Sequence, residues 1–249
     1  MRETDSNYYH HLEGNQIKVF GIPYAGGSAS IYYHWREMLG PAIQFIPVEM
    51  AGHGKRMGEP LYQSFAEAVD DLELQITKQL DGSSFALFGH SLGARLAFEV
   101  SRVLSQKGQS PCHLFVSGSS APHRTRPKQM IHDLDDELLI KELVKMGGTP
   151  ESLLDHPALA ELFLPIIRAD FAISESYQLM EPDAVLSCPI SVWYGDQEIG
   201  EEEDILSWSR YTNECFSIHS FSGGHFFIQD KANEPEIYRV LGSSLKLPN

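Results

Sequence analysis

The chain has 249 residues, 42% of them apolar and 21% charged, a composition that excludes a disordered or fibrous chain. Lys and Arg number 19 against 34 Asp and Glu, a formal net charge of −15, opposite in sign to a nucleic-acid binder. No apolar run reaches the roughly 20 residues of a membrane span. The polar opening MRETDSNYYHHLEGNQ lacks the apolar stretch of a secretory signal. Three cysteines (Cys112, Cys188, Cys215) without a CxxC pair point to a reducing compartment and to neither a disulfide framework nor a metal site. The expectation is a cytoplasmic monomer, one domain over 1–249, that binds neither nucleic acid nor membrane.

Short apolar runs and helical stretches then alternate along the chain. Strands are predicted over Ile17–Pro23, Ile43–Glu49, Ser84–His90, His113–Gly118, Pro189–Gly195 and Cys215–Phe221. Helices are predicted over Ser30–Leu39, Ser64–Leu80, Leu92–Leu104 and, near the end, Pro235–Leu245. The run SFALFGH is apolar nearly throughout, as in a strand buried on both faces of a parallel sheet. This order predicts an α/β fold, a mostly parallel sheet with helices on both faces. From about Ile131 to Met180 the pattern is helical only. It reads as an insertion capping the carboxyl edge of the sheet, with Leu162 and Phe163 lining an acyl pocket beneath it.

Gly89-His90-Ser91-Leu92-Gly93 falls between an apolar strand and a helix, the setting of a nucleophile elbow. A turn that tight leaves no room for side chains two positions away, hence the two glycines. Ser91 needs a base, and in such folds the order is serine, acid, histidine. Of eleven histidines, His225 follows the last strand in the flexible loop Ser222-Gly223-Gly224. His90 reads as packing. His10, His11, His34, His53, His113, His123, His132, His156 and His219 read as ordinary surface or partly buried residues. The acid is expected after the penultimate strand, where Asp196 and Glu198 compete and the residues leave both open. The oxyanion donors are expected to be the N–H groups of Leu92 and of Ala25, the latter in the loop after the first strand. Without GxGxxG, HExxH or EF-hand spacing, no cofactor or metal is predicted.

The segments PYAGGSA, AGHGKR, FGHSLGARLAFE, LPIIRADF, YGDQE and GGHFF, in this order, resemble the type II thioesterases that accompany non-ribosomal peptide and polyketide synthases. The resemblance runs from about Phe20 to Phe227. It implies an α/β-hydrolase fold with a helical lid and editing hydrolysis of acyl thioesters from the phosphopantetheine arms of carrier proteins. By position it makes Ser91 the nucleophile, His225 the base, and Ala25 and Leu92 the oxyanion donors. The chain departs from the pattern at Tyr24, where the family has histidine, and at Leu92, where methionine is frequent. The family's aspartate lies three residues after a strand-ending glycine. That place holds Glu198, so position favours Glu198 and residue type favours Asp196. Alternatives are a general esterase of small oxyesters and a hydrolase-fold binding protein without catalysis. The basic stretch His123–Lys128 is the candidate surface for an acidic carrier protein.

Overall fold

A computed structural model describes residues 16–124, 130–148, 157–198 and 202–245. Six strands make one wholly parallel sheet: β1 (Ile17–Ile22), β2 (Ile43–Pro47), β3 (Phe85–His90), β4 (His113–Ser117), β5 (Ile190–Gly195) and β6 (Phe216–Phe221). Their spatial order is β2-β1-β3-β4-β5-β6. The chain leaves β1 toward one side to build β2, then returns to lay β3 on the other side. The order therefore reverses between β1 and β3, and in open parallel sheets the ligand crevice opens at the carboxyl ends of such a pair.

The helices are α1 (Trp35–Met38), α2 (Phe65–Thr77), α3 (Leu92–Gln106), α4 (Asp136–Met146), α5 (Pro157–Glu175), α6 (Glu202–Leu206) and α7 (Glu234–Ser244). Strand side chains alternate between two cores because successive Cβ atoms point to opposite faces. Phe85 and Leu87 join the core under α2 and α3, with Leu72, Leu96 and Phe98. Ala86 and Phe88 join the core on the other face, with Trp35, Trp193, Ile237 and Val240. The lid helices α4 and α5 carry a third cluster of their own, Leu139, Ile140, Leu143, Leu164 and Ile167. No described helix is long and apolar enough to cross a membrane.

The structure departs from the sequence reading in one helix. The single helix expected over Ser30–Leu39 is split into a 3-10 turn at Ala29–Tyr32 and the one-turn α1. The run Ile31-Tyr32-Tyr33-His34-Trp35 is β-branched and aromatic, residues that lose side-chain freedom in a helix. Tyr32 and Trp35 are instead fully packed against Phe45 and Phe88. The acidic stretch near 202 opens into α6 and a 3-10 turn, Ser207–Tyr211, that buries Trp208 and Tyr211. Between 131 and 180 the described residues hold helices and no strand, as expected of the lid.

Candidate active site

Ser91 joins β3 to α3 with φ 56° and ψ −116°, and it alone among described non-glycine residues has a positive φ. Strain of this kind persists only where the surroundings enforce it. Here they do so at both glycines. A Cβ on Gly89 would lie 2.0 Å from the carbonyl oxygen of Gly93, and one on Gly93 would lie 2.2 Å from that of Ile22. The second contact presses the start of α3 against the end of β1, across the strand-order reversal. The Ser91 N–H donates to the Ser117 carbonyl at 2.8 Å, which ties the elbow to β4.

His225 lies beyond β6, three strand spacings or about 14 Å from β3. Its loop must therefore cross β5 and β4, and a glycine waits at each crossing. The carbonyls of Gly223 and Gly224 pass 2.3 and 2.4 Å from where a Gly195 Cβ would stand. At Gly118 (φ 58°), a Cβ would sit 2.6 Å from the His90 ring and 3.2 Å from the His225 ring. His225 so arrives beside the elbow, its ring 5.0 Å from that of His90.

The two carboxylates after β5 do different work. His225 Nδ1 lies 2.6 Å from Glu198 Oε1 and donates to it, so that in the neutral ring the lone pair is on Nε2. Asp196 Oδ1 accepts instead from the Gly223 N–H at 2.9 Å, while the Asp196 N–H donates to the Phe221 carbonyl at 2.8 Å. Asp196 thus fastens the loop that carries His225 and does not touch the ring. No hydrogen bond joins Ser91 Oγ to His225 among the described residues.

His90 is fully buried, with Nδ1 2.8 Å from Ser117 Oγ. Burial, then the nearby His225 charge, lower its pKa well below the ordinary value, so His90 stays neutral. Tyr24 sets its ring edge-on to His90 and Phe226 and accepts a hydrogen bond from Gln229.

Of the expected oxyanion donors, Leu92 is the first residue of α3, so no carbonyl one turn earlier in the helix takes its N–H. Ala25 lies in the loop after β1, where the Gly27 N–H donates to the Tyr24 carbonyl at 2.9 Å. The Gly26 N–H donates to Asp170 Oδ2 at 2.7 Å. Asp170 comes from α5 and also meets His53 Nε2 at 2.8 Å. Neither Asp170 nor His53 emerges from the sequence reading as a site residue. Two of the family-like segments, AGHGKR and LPIIRADF, contain them, and that was the available signal.

Leu162 is 47% exposed and faces solvent, and Phe163 packs into the lid's own cluster, so Leu162 does not line an enclosed acyl pocket. The lid meets the site elsewhere. A Cβ on Gly26 would lie 2.8 Å from Ile167, and one on Gly148 would lie 2.2 Å from Phe226. Arg124 pairs with Glu203 and Asp204, so it is not a free cation for a partner. Residues 125–128 of that basic stretch lie outside the described residues.

Residues 17–245 match the thioesterase domain family. The chain belongs to the thioesterase family. This thioesterase is 34% identical over 228 residues to Thioesterase PikA5 of Streptomyces venezuelae, covering 91% of this chain and 80% of that one. It superposes on the crystal structure of ClbQ, from the colibactin non-ribosomal peptide/polyketide synthase pathway, with TM-score 0.87 and 33% identity. That match covers 93% of this chain and 98% of ClbQ. With the type II thioesterase BorB from the borrelidin biosynthetic cluster, the TM-score is 0.84 and the identity 31%, covering 93% and 94% of the two chains. The thioesterase therefore has the α/β-hydrolase fold of these relatives and is a thioester-cleaving serine hydrolase.

Proposed function

We propose that this thioesterase releases acyl chains from the phosphopantetheine arm of a carrier protein by a Ser91–His225–Glu198 triad. The observation that carries this reading is the 2.6 Å His225–Glu198 hydrogen bond, which holds the imidazole by Nδ1 and leaves Nε2 as the candidate base, on a ring packed against His90, the neighbour in sequence of the strained Ser91. Nε2 takes the Ser91 hydroxyl proton as Oγ attacks the thioester carbonyl, and the N–H groups of Ala25 and Leu92 receive the developing oxyanion. The C–S bond breaks as the imidazolium returns the proton to the departing thiol, leaving an acyl-serine. A water, deprotonated by the same Nε2, attacks this ester and yields a free acid, and Ser91 regains its proton. Glu198 holds the ring in one tautomer and stabilises its cationic form without taking the proton.

The carrier-bound substrate and the editing role are supported by ClbQ, which comes from a non-ribosomal peptide/polyketide synthase pathway, and by BorB, a type II thioesterase from a biosynthetic cluster. No group in the triad or the oxyanion loop calls for a cofactor. Turnover of acyl-carrier thioesters should be compared with that of matched oxyesters, for the wild type and for Ser91→Ala. Carrier thioesters are expected to be preferred, and Ser91→Ala is expected to lose at least about 10³-fold in kcat, leaving only catalysis by binding. A preference for oxyesters would overturn the editing role, and an active Ser91→Ala would overturn the mechanism.

A further inference from the structure

The lid helix α5 sends one buried carboxylate into the oxyanion loop. Asp170 is 2% exposed, and a single oxygen, Oδ2, accepts from the Gly26 N–H at 2.7 Å and from His53 Nε2 at 2.8 Å. His53, 3% exposed, spends its other ring nitrogen as a donor to the Ala51 carbonyl at 2.9 Å. With Nδ1 donating to the Ala51 carbonyl, Nε2 can donate to Asp170 only in the charged, doubly protonated ring. Burial disfavours that charge, but the hydrogen bond and charge of Asp170, the Ala51 carbonyl and Glu49 outweigh it and raise the His53 pKa.

These contacts bear on Ala25 through the geometry of planar peptides. Ala25 N–H belongs to the Tyr24–Ala25 peptide plane, which is held where its carbonyl accepts from Gly27. The following plane, Ala25–Gly26, is held where its N–H meets Asp170. With both flanking planes tied, the direction of the Ala25 N–H is set. Gly26 has φ 77°, and Ile167 of α5 closes the space beside it, so the loop and the lid helix form one packed unit.

We propose that Asp170, held by His53, is a positioning residue for thioester cleavage: through Gly26 it aims the Ala25 N–H at the oxyanion, making the oxyanion hole depend on a seated lid helix. This rests on the serine-hydrolase reading of Ser91 given above. Loss of an interaction made only in the transition state lowers kcat and leaves KM alone.

The test uses Asp170→Ala, which removes the acceptor, and Asp170→Asn, which keeps an acceptor oxygen at nearly the same size. An acyl N-acetylcysteamine thioester serves as substrate, and an alkylthio-trifluoropropanone, which adds to the serine as a tetrahedral oxyanion, serves as the transition-state probe. Asp170→Ala is expected to lower kcat about 10²- to 10³-fold, the range for loss of one oxyanion donor, with KM within about threefold. It should weaken binding of the ketone by the same factor. Asp170→Asn is expected to recover at least about tenfold of that loss. A rise in KM with kcat kept, or a fall in kcat with ketone affinity unchanged, overturns the proposal. If the alanine variant fails to fold, the asparagine variant decides, since kcat and ketone affinity must still fall together in it. A wild-type enzyme that forms no adduct with the ketone would instead overturn the reading of Ser91, and this inference with it.

Discussion

At the scale of single residues, the site turns on which carboxylate meets His225. Glu198→Gln removes the negative charge facing the imidazolium and permits the wrong tautomer. It is expected to cost about 10⁴-fold in kcat, as loss of the orienting acid does in a protease triad. Asp196→Asn keeps the oxygen that accepts from Gly223 and is expected to cost less than about tenfold, the equivalent of one ordinary hydrogen bond. Steady-state kinetics on both variants checks the pair, and a reversed order would make Asp196 the acid. Ser91 and His225 are legible in the sequence because glycines that only a tight turn or a loop crossing requires surround them. Glu198 is not legible from residue type alone. Two carboxylates stand two positions apart, and only the path of the turn, closed by the Glu198 N–H on the Gly195 carbonyl at 2.9 Å, decides which one reaches the ring. His53 and Asp170 are harder still. They lie 117 residues apart, and no local pattern announces that a loop histidine and a helical aspartate will meet.

At the scale of elements, the strands β1 to β5 are legible as largely apolar runs bounded by Gly, Pro or a polar turn, and β6, FSIHSF, by its alternation of apolar and polar residues. The Ser207–Tyr211 turn is not, since it has no period and Trp208 is buried by tertiary packing alone. The lid is legible as helices, but its fastening is not. Arg168 of α5 donates to the carbonyls of His132 and Leu134 and to Asp136 at the start of α4, while His132 pairs with Glu175. Two residues apart on one helix, Arg168 thus ties the lid to itself and Asp170 ties it to the site. Lid motion gates turnover in many enzymes. Arg168→Met, which keeps the apolar stem, is expected to change kcat and KM together by about three- to tenfold, the worth of one charged hydrogen bond or less. The urea midpoint should stay close to wild type, because the two sheet cores do not contain Arg168. A lower midpoint with unchanged kinetics would make Arg168 a general strut.

Across the whole molecule, buried histidines set the response to acid. An unfolded histidine takes up its proton near pH 6.5. Burial, with a smaller contribution from the His219 charge, pushes His113 down to about 4, and His90 is lowered as well. Between those pH values the unfolded chain binds more protons than the fold, so acidification favours unfolding. His53 has the opposite sign: its raised pKa stabilises the fold below pH 6.5, and that share is lost as pH rises through its folded value. His113 alone should cost roughly 3 kcal/mol once pH is below about 4, with most of it lost by pH 4.5. Urea unfolding at pH 7 and pH 4.5 measures this. His113→Gln, which cannot titrate, is expected to lose roughly 2 kcal/mol less than wild type over that interval. Equal losses would mean that His113 is protonated in the fold.

The placement of the aromatic residues has a consequence for watching this molecule refold. All three tryptophans, Trp35, Trp193 and Trp208, are fully buried in the two cores that sandwich the sheet, and none stands on α4 or α5. Intrinsic emission therefore reports the assembly of the sheet and is blind to the arrival of the lid. The Asp170–Gly26 hydrogen bond, closed across 144 residues, belongs to the seating of the lid. A refolded sample can regain its full tryptophan fluorescence while its oxyanion loop is still unaimed, and catalytic activity then reports the seating of the lid.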